Sequence, residues 1–185
     1  MVTVIIGVAA VVAWAGFEIA FRAPGEAGSL ERRSTDRAIT PLLIAAFALA
    51  VVLPILLRNS TIGSLGDAAW AGVALSAAGL VIRAWGMRTL GAAYSRTLRT
   101  TADQRLVTAG PYRFVRHPGY LGSIAVWVGA GLAFHNWLAA MIVAVLMAAA
   151  YGWRIRAEEQ MLATRFGDDY IAYAARTARL IPGIY

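Results

Sequence analysis

Apolar runs long enough to cross a bilayer alternate in this chain with Arg-bearing connections, and that alternation restricts the fold to helices packed within a membrane. Val2 to Phe21 is an apolar run whose single acid is Glu18. At about 1.5 Å per residue, such a run covers a hydrocarbon core of about 30 Å. Further runs follow at 41–57, 68–86, 120–134 and 137–153. No water is present in hydrocarbon to satisfy backbone N–H and C=O groups, so each run is expected to be a helix. The expected fold class is all-α: a polytopic membrane protein with about five transmembrane helices, a loop over 87–119 and a helical tail over 154–185. With 59% hydrophobic and 15% charged residues, too few charges remain to clothe a soluble domain, and one integral-membrane domain over 1–185 is expected.

Every one of the 17 basic residues is Arg, and the formal charge is +7. A basic chain can bind nucleic acid, but here 15 of the 17 Arg fall within 22–37, 88–116 and 154–179, flanking the spans as the positive-inside rule demands. No nucleic-acid partner is expected. Five spans then put the N-terminus outside and the 87–119 loop and the tail in the cytoplasm, with the bacterial plasma membrane as the expected location. A cleaved signal peptide is not expected, since no positive charge precedes the first run and Glu18 sits inside it.

Cysteine is absent and His117 and His135 are the two histidines, so no metal site is expected. His135 shares a tight turn with Asn136 between the last two spans, which makes 120–153 a helical hairpin and puts His135 on the face opposite the cytoplasmic loop. Glu18 has two readings: a carboxylate turned toward protein or a cavity, or one that reaches the interface from the end of its helix. Gly72, Ala77, Ala78 and Gly79 permit close helix packing, and Pro54 permits a kink.

Chemistry-bearing residues concentrate in Gly110-Pro111-Tyr112-Arg113-Phe114-Val115-Arg116-His117-Pro118-Gly119-Tyr120-Leu121-Gly122. Pro118 disfavours helix at His117 and suits the first turn of a helix that starts nearby. A helix N-terminus offers unpaired N–H groups and a partial positive charge; with Arg116 and His117 beside it, it can hold a carboxylate or phosphate. Downstream, Arg154 to Arg165 reads as a helix prolonging the fifth span, with Arg154/Glu158 and Arg156/Gln160 as i,i+4 neighbours. Ile155, Glu158, Glu159 and Leu162 share one face, so the two carboxylates either point together at a neighbour or form a solvated surface pair. Gly167 suits a helix stop, after which Tyr170 and Tyr173 lie on one face of a short helix ending before Pro182. These aromatics either lid a site or anchor at the membrane interface.

Arg116-His117-Pro118-Gly119-Tyr120-Leu121-Gly122 resembles the Arg-His-Pro-x-Tyr-x-Gly signature of the isoprenylcysteine carboxyl methyltransferase and phospholipid methyltransferase group. Glu158-Glu159, Phe166-Gly167, Tyr170, Tyr173 and Arg179-Leu180-Ile181-Pro182 extend the likeness in the same order, over about Leu90 to Pro182. The resemblance implies methyl transfer from S-adenosyl-L-methionine to a lipid-borne or hydrophobic acceptor, a carboxylate in one branch and an amine in the other. It further implies that Arg116, His117 and Tyr120 bind the methionine end of the cofactor, that Tyr112, Pro118 and Gly122 shape its pocket, and that Glu159 bonds ribose hydroxyls. Glu158, with Arg156 or Arg116, is expected to face the acceptor.

No Gly-x-Gly-x-x-Gly pattern or strand-helix alternation is present, which excludes a soluble Rossmann methyltransferase. One alternative is a membrane sterol or steroid reductase, whose NADPH phosphate would suit Arg99, Arg105 or Arg113. Another is a helical scaffold or transporter that binds no cofactor. On the methyltransferase reading, the tail from Phe166 to Pro182 is expected to roof a closed cofactor chamber that opens sideways between helices.

Overall fold

A computed structural model of the protein describes residues 1–20, 34–60, 62–91 and 106–183, with the backbone alone for 34–42. The connection over 21–33 and most of the basic loop, including Arg96, Arg99 and Arg105, lie outside the described residues. The helices are α1 (Val2–Ala20), α2 (Ser34–Leu57), α3 (Ala69–Leu90), α4 (Pro118–Ala133), α5 (Trp137–Phe166) and α6 (Asp168–Ala174). The five apolar runs match α1 to α5. Three helical stretches, Val2–Ala20, Gly66–Leu90 and Trp137–Phe166, are long and apolar enough to cross a membrane, and Leu43–Leu57 and Pro118–Ala133 are shorter apolar helices. Large aliphatics such as Ile5, Val12, Ile55, Val81 and Val145 are exposed, whereas Glu18, Ser76, Arg83, Ser123 and Asn136 are buried. Polar groups gathered inside and aliphatics outside are the arrangement a lipid solvent imposes.

The α3–α4 crossing sets the geometry of the bundle. Gly72 and Gly79 on α3 face Gly129 and Gly122 on α4, one pair every two turns of each antiparallel helix. A Cβ at Gly72 would lie 2.5 Å from the Gly129 carbonyl oxygen, and one at Gly79 would lie 2.6 Å from that of Gly122. Such contact between backbones is the small-residue packing of membrane helices, which lack a hydrophobic drive toward one another and rely on close approach. Between the two glycine pairs, the Ser76 hydroxyl donates to the Val126 carbonyl at 3.2 Å. Behind the crossing, Trp14, Phe47, Trp127 and Tyr151 form an aromatic cluster joining α1, α2, α4 and α5, with Trp14–Trp127 centroids 5.4 Å apart at 77°.

The end of the bundle away from the Arg-His-Pro stretch is closed by two side chains of the α4–α5 turn. Asn136 caps α5 by accepting from the Ala139 N–H at 2.9 Å and donates to the Leu57 and Ile62 carbonyls at 3.0 Å each. His135, at φ 65°, bonds the Thr3 hydroxyl at 2.8 Å and the Gly66 carbonyl at 2.9 Å, which fixes it as a structural staple on the face expected for it.

At the other end, α5 continues past its apolar part to Phe166 and stops at Gly167, whose φ of 51° few side chains tolerate. The tail helix is short and ends before Pro182, as expected: α6 stops at Ala174, where Arg116 takes the Ala174 and Thr177 carbonyls and the chain turns back toward the motif.

The α3–α4 contact predicts the effect of single methyl groups. Gly79→Ala or Gly129→Ala forces two backbones apart and is expected to destabilise by at least about 1–3 kcal/mol. Gly152→Ala, on a helix face with nothing within 4 Å, should be neutral or stabilising. Thermal unfolding in detergent, with the three variants side by side, measures the difference.

Candidate active site

The Arg-His-Pro stretch meets the Glu-Glu helix and the tail at the Arg-rich end of the bundle. A 3-10 turn over Gly110–Arg113 leads in, and α4 begins at Pro118, which lacks the N–H that a first helical residue has no partner for. The tail lies along the stretch by backbone bonds: Arg116 N–H to the Ala178 carbonyl at 2.8 Å, His117 N–H to Arg179 at 3.1 Å, and Ala178 N–H to Phe114 at 3.3 Å. The buried Tyr173 hydroxyl donates to the Tyr112 carbonyl at 2.7 Å, tying α6 to the same turn.

Glu159 is the hub. Its Oε1 accepts from Arg116 Nε at 2.7 Å and lies 3.4 Å from His117 Nε2, while its Oε2 accepts from Arg179 Nε at 2.8 Å. Burial alone would raise this carboxyl, but the hydrogen bonds and charges of His117 and Arg116 outweigh it and hold it down at about 2. The anion site expected beside Arg116 and His117 thus holds the protein's own carboxylate. Arg116 also bonds the Ala174 carbonyl at 2.8 Å and that of Thr177, satisfying acceptors at the end of α6.

Glu158 takes part in a second constellation centred on Tyr120. The Tyr120 hydroxyl donates to Glu158 Oε2 at 2.7 Å and accepts from Arg154 Nε at 2.8 Å. Its ring is stacked between His117, 5.6 Å away at 15°, and Tyr151, 4.9 Å away at 29°. The i,i+4 pair Arg154 and Glu158 is therefore bridged by an aromatic hydroxyl from the facing helix. Both carboxylates face the motif, which decides against a solvated surface pair.

Of the residues singled out in the sequence, Arg116, His117, Tyr120, Glu158 and Glu159 converge here, with Pro118 and Tyr112 buried behind them. Gly122 lies elsewhere, at the α3–α4 crossing, where a Cβ would come within 2.7 Å of the Gly79 carbonyl oxygen. Arg156 lies one helical face away from Arg154 and lines an open cleft of about 380 Å3 with Glu159, Gln160, Tyr170 and Arg179. The cleft is open where a closed chamber was expected, while α6 packs on α5 and is tied to the motif through Tyr173 and Arg116. Arg113 has its guanidinium carbon 4.4 Å from the centre of the Phe114 ring. Two participants were not expected: Arg154, noted only for helix pairing, and Arg179, noted only as part of the tail pattern.

Helical spans, the Arg-His-Pro junction and the paired carboxylates of α5 thus bring together at one end of a membrane-type helical bundle the residues that carry the sequence likeness. A family model for the isoprenylcysteine carboxyl methyltransferase (ICMT) family matches residues 72–164, and the chain belongs to that family. Among relatives, protein-S-isoprenylcysteine O-methyltransferase B of Arabidopsis thaliana is 29% identical over 113 residues, 60% of this chain and 57% of that protein. The Saccharomyces cerevisiae protein-S-isoprenylcysteine O-methyltransferase is 33% identical over 108 residues, covering 57% and 45%. The nickel-cobalt-cadmium resistance protein NccN of Alcaligenes xylosoxydans xylosoxydans is 33% identical over 123 residues, covering 63% and 56%. The chain thus spans about half the length of these relatives, between 45% and 57%. The solved structure of a eukaryotic intramembrane Ras methyltransferase, isoprenylcysteine carboxyl methyltransferase, superposes with a TM-score of 0.62 at 22% identity, covering 84% of this chain and 55% of the other; the likeness is one of fold. Nothing among these matches favours the reductase alternative.

The depressed Glu159 carboxyl gives a pH signature. A group whose folded pKa lies below its ordinary value of 4.5 contributes stability that is complete above that value and is lost as pH falls through about 2. Glu159→Gln is therefore expected to melt at a lower temperature than wild type at pH 7, and the gap is expected to close progressively below pH 4.5. Melting curves of both proteins across this range measure it.

Proposed function

We propose that this protein is an S-adenosylmethionine-dependent methyltransferase that esterifies the carboxylate of a lipid-borne acceptor, with a prenylated cysteine as the reference substrate. The observation that carries the reading is the Arg154–Tyr120–Glu158 chain at the membrane edge. At about 1.5 Å per residue, the 16 residues of α4 cover about 24 Å, most of a hydrocarbon core of about 30 Å, which would put its first turn near one membrane surface, within reach of a lipid-borne acceptor. Arg154 is a planar, permanently charged cation of the kind that pairs with carboxylates, and its bond to Tyr120, itself held by Glu158, fixes its direction. A carboxylate needs no base to become a nucleophile. An amine does, and Glu158 is already engaged as the acceptor of the Tyr120 proton.

The residues present fit the cofactor. Arg156 and Arg179 in the cleft suit a carboxylate, and Glu159 suits hydroxyl or ammonium donors. The buried Tyr170 hydroxyl lies beside Glu159 and adds a further polar group to the cleft. Volumes of about 300–1,000 Å3 are usual for small-molecule sites, and the cleft falls within that range. When bound, S-adenosylmethionine supplies a methyl group already activated on a sulfonium. The protein's part is to hold the acceptor oxygen in line, which Arg154 does by orientation, and to limit water at the reacting atoms. The Arg distribution supports a cytoplasmic site, where a soluble cofactor is available, with the N-terminus on the opposite side.

Calorimetry on the purified protein in detergent is expected to show binding of S-adenosylmethionine, weakened roughly tenfold by His117→Ala and unchanged by His135→Ala. Arg154→Gln should retain that binding but lower kcat/KM for a prenylcysteine by about 100-fold, the scale of lost orientation. Tight NADPH binding with no response to the methyl donor contradicts the reading.

A further inference from the structure

Beneath the motif lies an ion pair that the proposed reaction does not use. Glu18 on α1 and Arg83 on α3 are both buried and joined side chain to side chain, within helices that the bilayer surrounds. Charges at that depth are costly, and a purely structural role would be served as well by apolar residues of similar size. The destination of the rest of the guanidinium is therefore informative. Arg83 Nη1 donates to the Gly119 carbonyl at 2.7 Å and to the Ser123 hydroxyl at 2.7 Å, both in the opening turns of α4. Ser123 in turn accepts from Trp14 Nε1 at 2.9 Å and donates to the Gly119 carbonyl at 3.1 Å. Gly119 and Ser123 bracket Tyr120, whose ring and hydroxyl lie on the other side of that turn.

The turn needs an outside hold. Pro118 contributes no N–H, Gly119 has no side chain to pack, and His117 caps the helix with its backbone carbonyl rather than its side chain. We propose that the Glu18–Arg83 pair is a positioning element that grips the first turn of α4 and so sets where Tyr120 and His117 stand. Glu18 neutralises Arg83 and aims it, Arg83 pins Gly119 and Ser123, and α1 is thereby coupled to the first turn of α4. The catalytic consequence rests on the methyltransferase reading, whereas the positioning itself does not.

The test separates positioning from stability. Arg83→Met leaves the Glu18 charge buried beside an apolar group and is expected to lower the melting temperature. Adding Glu18→Gln removes that charge and should restore most of the loss. In the double variant, however, hydrogen exchange of the 117–123 amides is expected to quicken roughly tenfold while other helices keep wild-type protection. Methyl transfer to a prenylcysteine should stay at least about tenfold down. Ser123→Ala, which keeps the ion pair but removes one of its anchors, should quicken exchange over the same segment. Thr3→Val, at the opposite end of the bundle, should not. A double variant with restored melting, wild-type exchange over 117–123 and wild-type turnover overturns the proposal, as does wild-type exchange in Ser123→Ala. Should the wild-type protein transfer no methyl group, the function proposed above fails while the exchange measurements still decide this inference.

Discussion

Arg116 and Glu159 form the contact on which the remainder of the site hangs. The guanidinium reaches a carboxylate on α5 with one nitrogen and two carbonyls at the end of α6 with another, so two elements 43 and 58 residues further along the chain converge on one cation. Glu159 doubles the arrangement by taking Arg179 on its second oxygen. In water, such exposed pairs contribute little. Here both side chains of the Arg116–Glu159 pair are about nine-tenths buried, so removing either partner leaves a desolvated charge, and the tail is held to the motif by that penalty as much as by attraction.

A second constraint comes from the bilayer. A polar group that enters it is costly without a partner inside the protein, and most such groups in the bundle gather in two polar layers, one at each end. Asn136 and His135 knit the loops at one end, and Glu18, Arg83, Ser123 and Trp14 knit the helices near the other. Between them the helices rely on glycine pairs and an aromatic cluster. This division gathers charge at the Tyr120 end, among Arg154, Glu158, Arg116 and Glu159. Such a place suits a reaction between a polar cofactor and an acceptor whose tail stays in lipid.

Much of this was legible in the sequence, and the reasons differ from part to part. Span positions follow from hydropathy alone, because lipid leaves the backbone no alternative to helix. The inward turn of Glu158 and Glu159 follows from helical spacing once the motif is set against that face. The Glu18–Arg83 pair could not be read, since the partners lie on different helices and only the α1–α3–α4 packing brings them together. Arg154 rather than Arg156 reaches Tyr120 for a similar reason: two residues along a helix is a rotation of more than half a turn, and the phase is set by where α4 crosses α5. Gly122 was assigned to the pocket by family likeness, but its missing side chain serves the approach of α3, a role shared with Gly79, Gly72 and Gly129.

The chemical nature of the product tests the central claim most directly. With S-adenosylmethionine carrying a radiolabelled methyl group and a farnesylated cysteine as acceptor, the purified protein in lipid vesicles should form a labelled product. Mild alkali should release that label as volatile methanol, because a carboxyl methyl ester hydrolyses and a methylated amine does not. An alkali-stable label on an aminophospholipid, or no transfer to any lipid-borne carboxylate while the cofactor binds, would contradict a site in which Arg154, Tyr120 and Glu158 present a carboxylate oxygen to the methyl group.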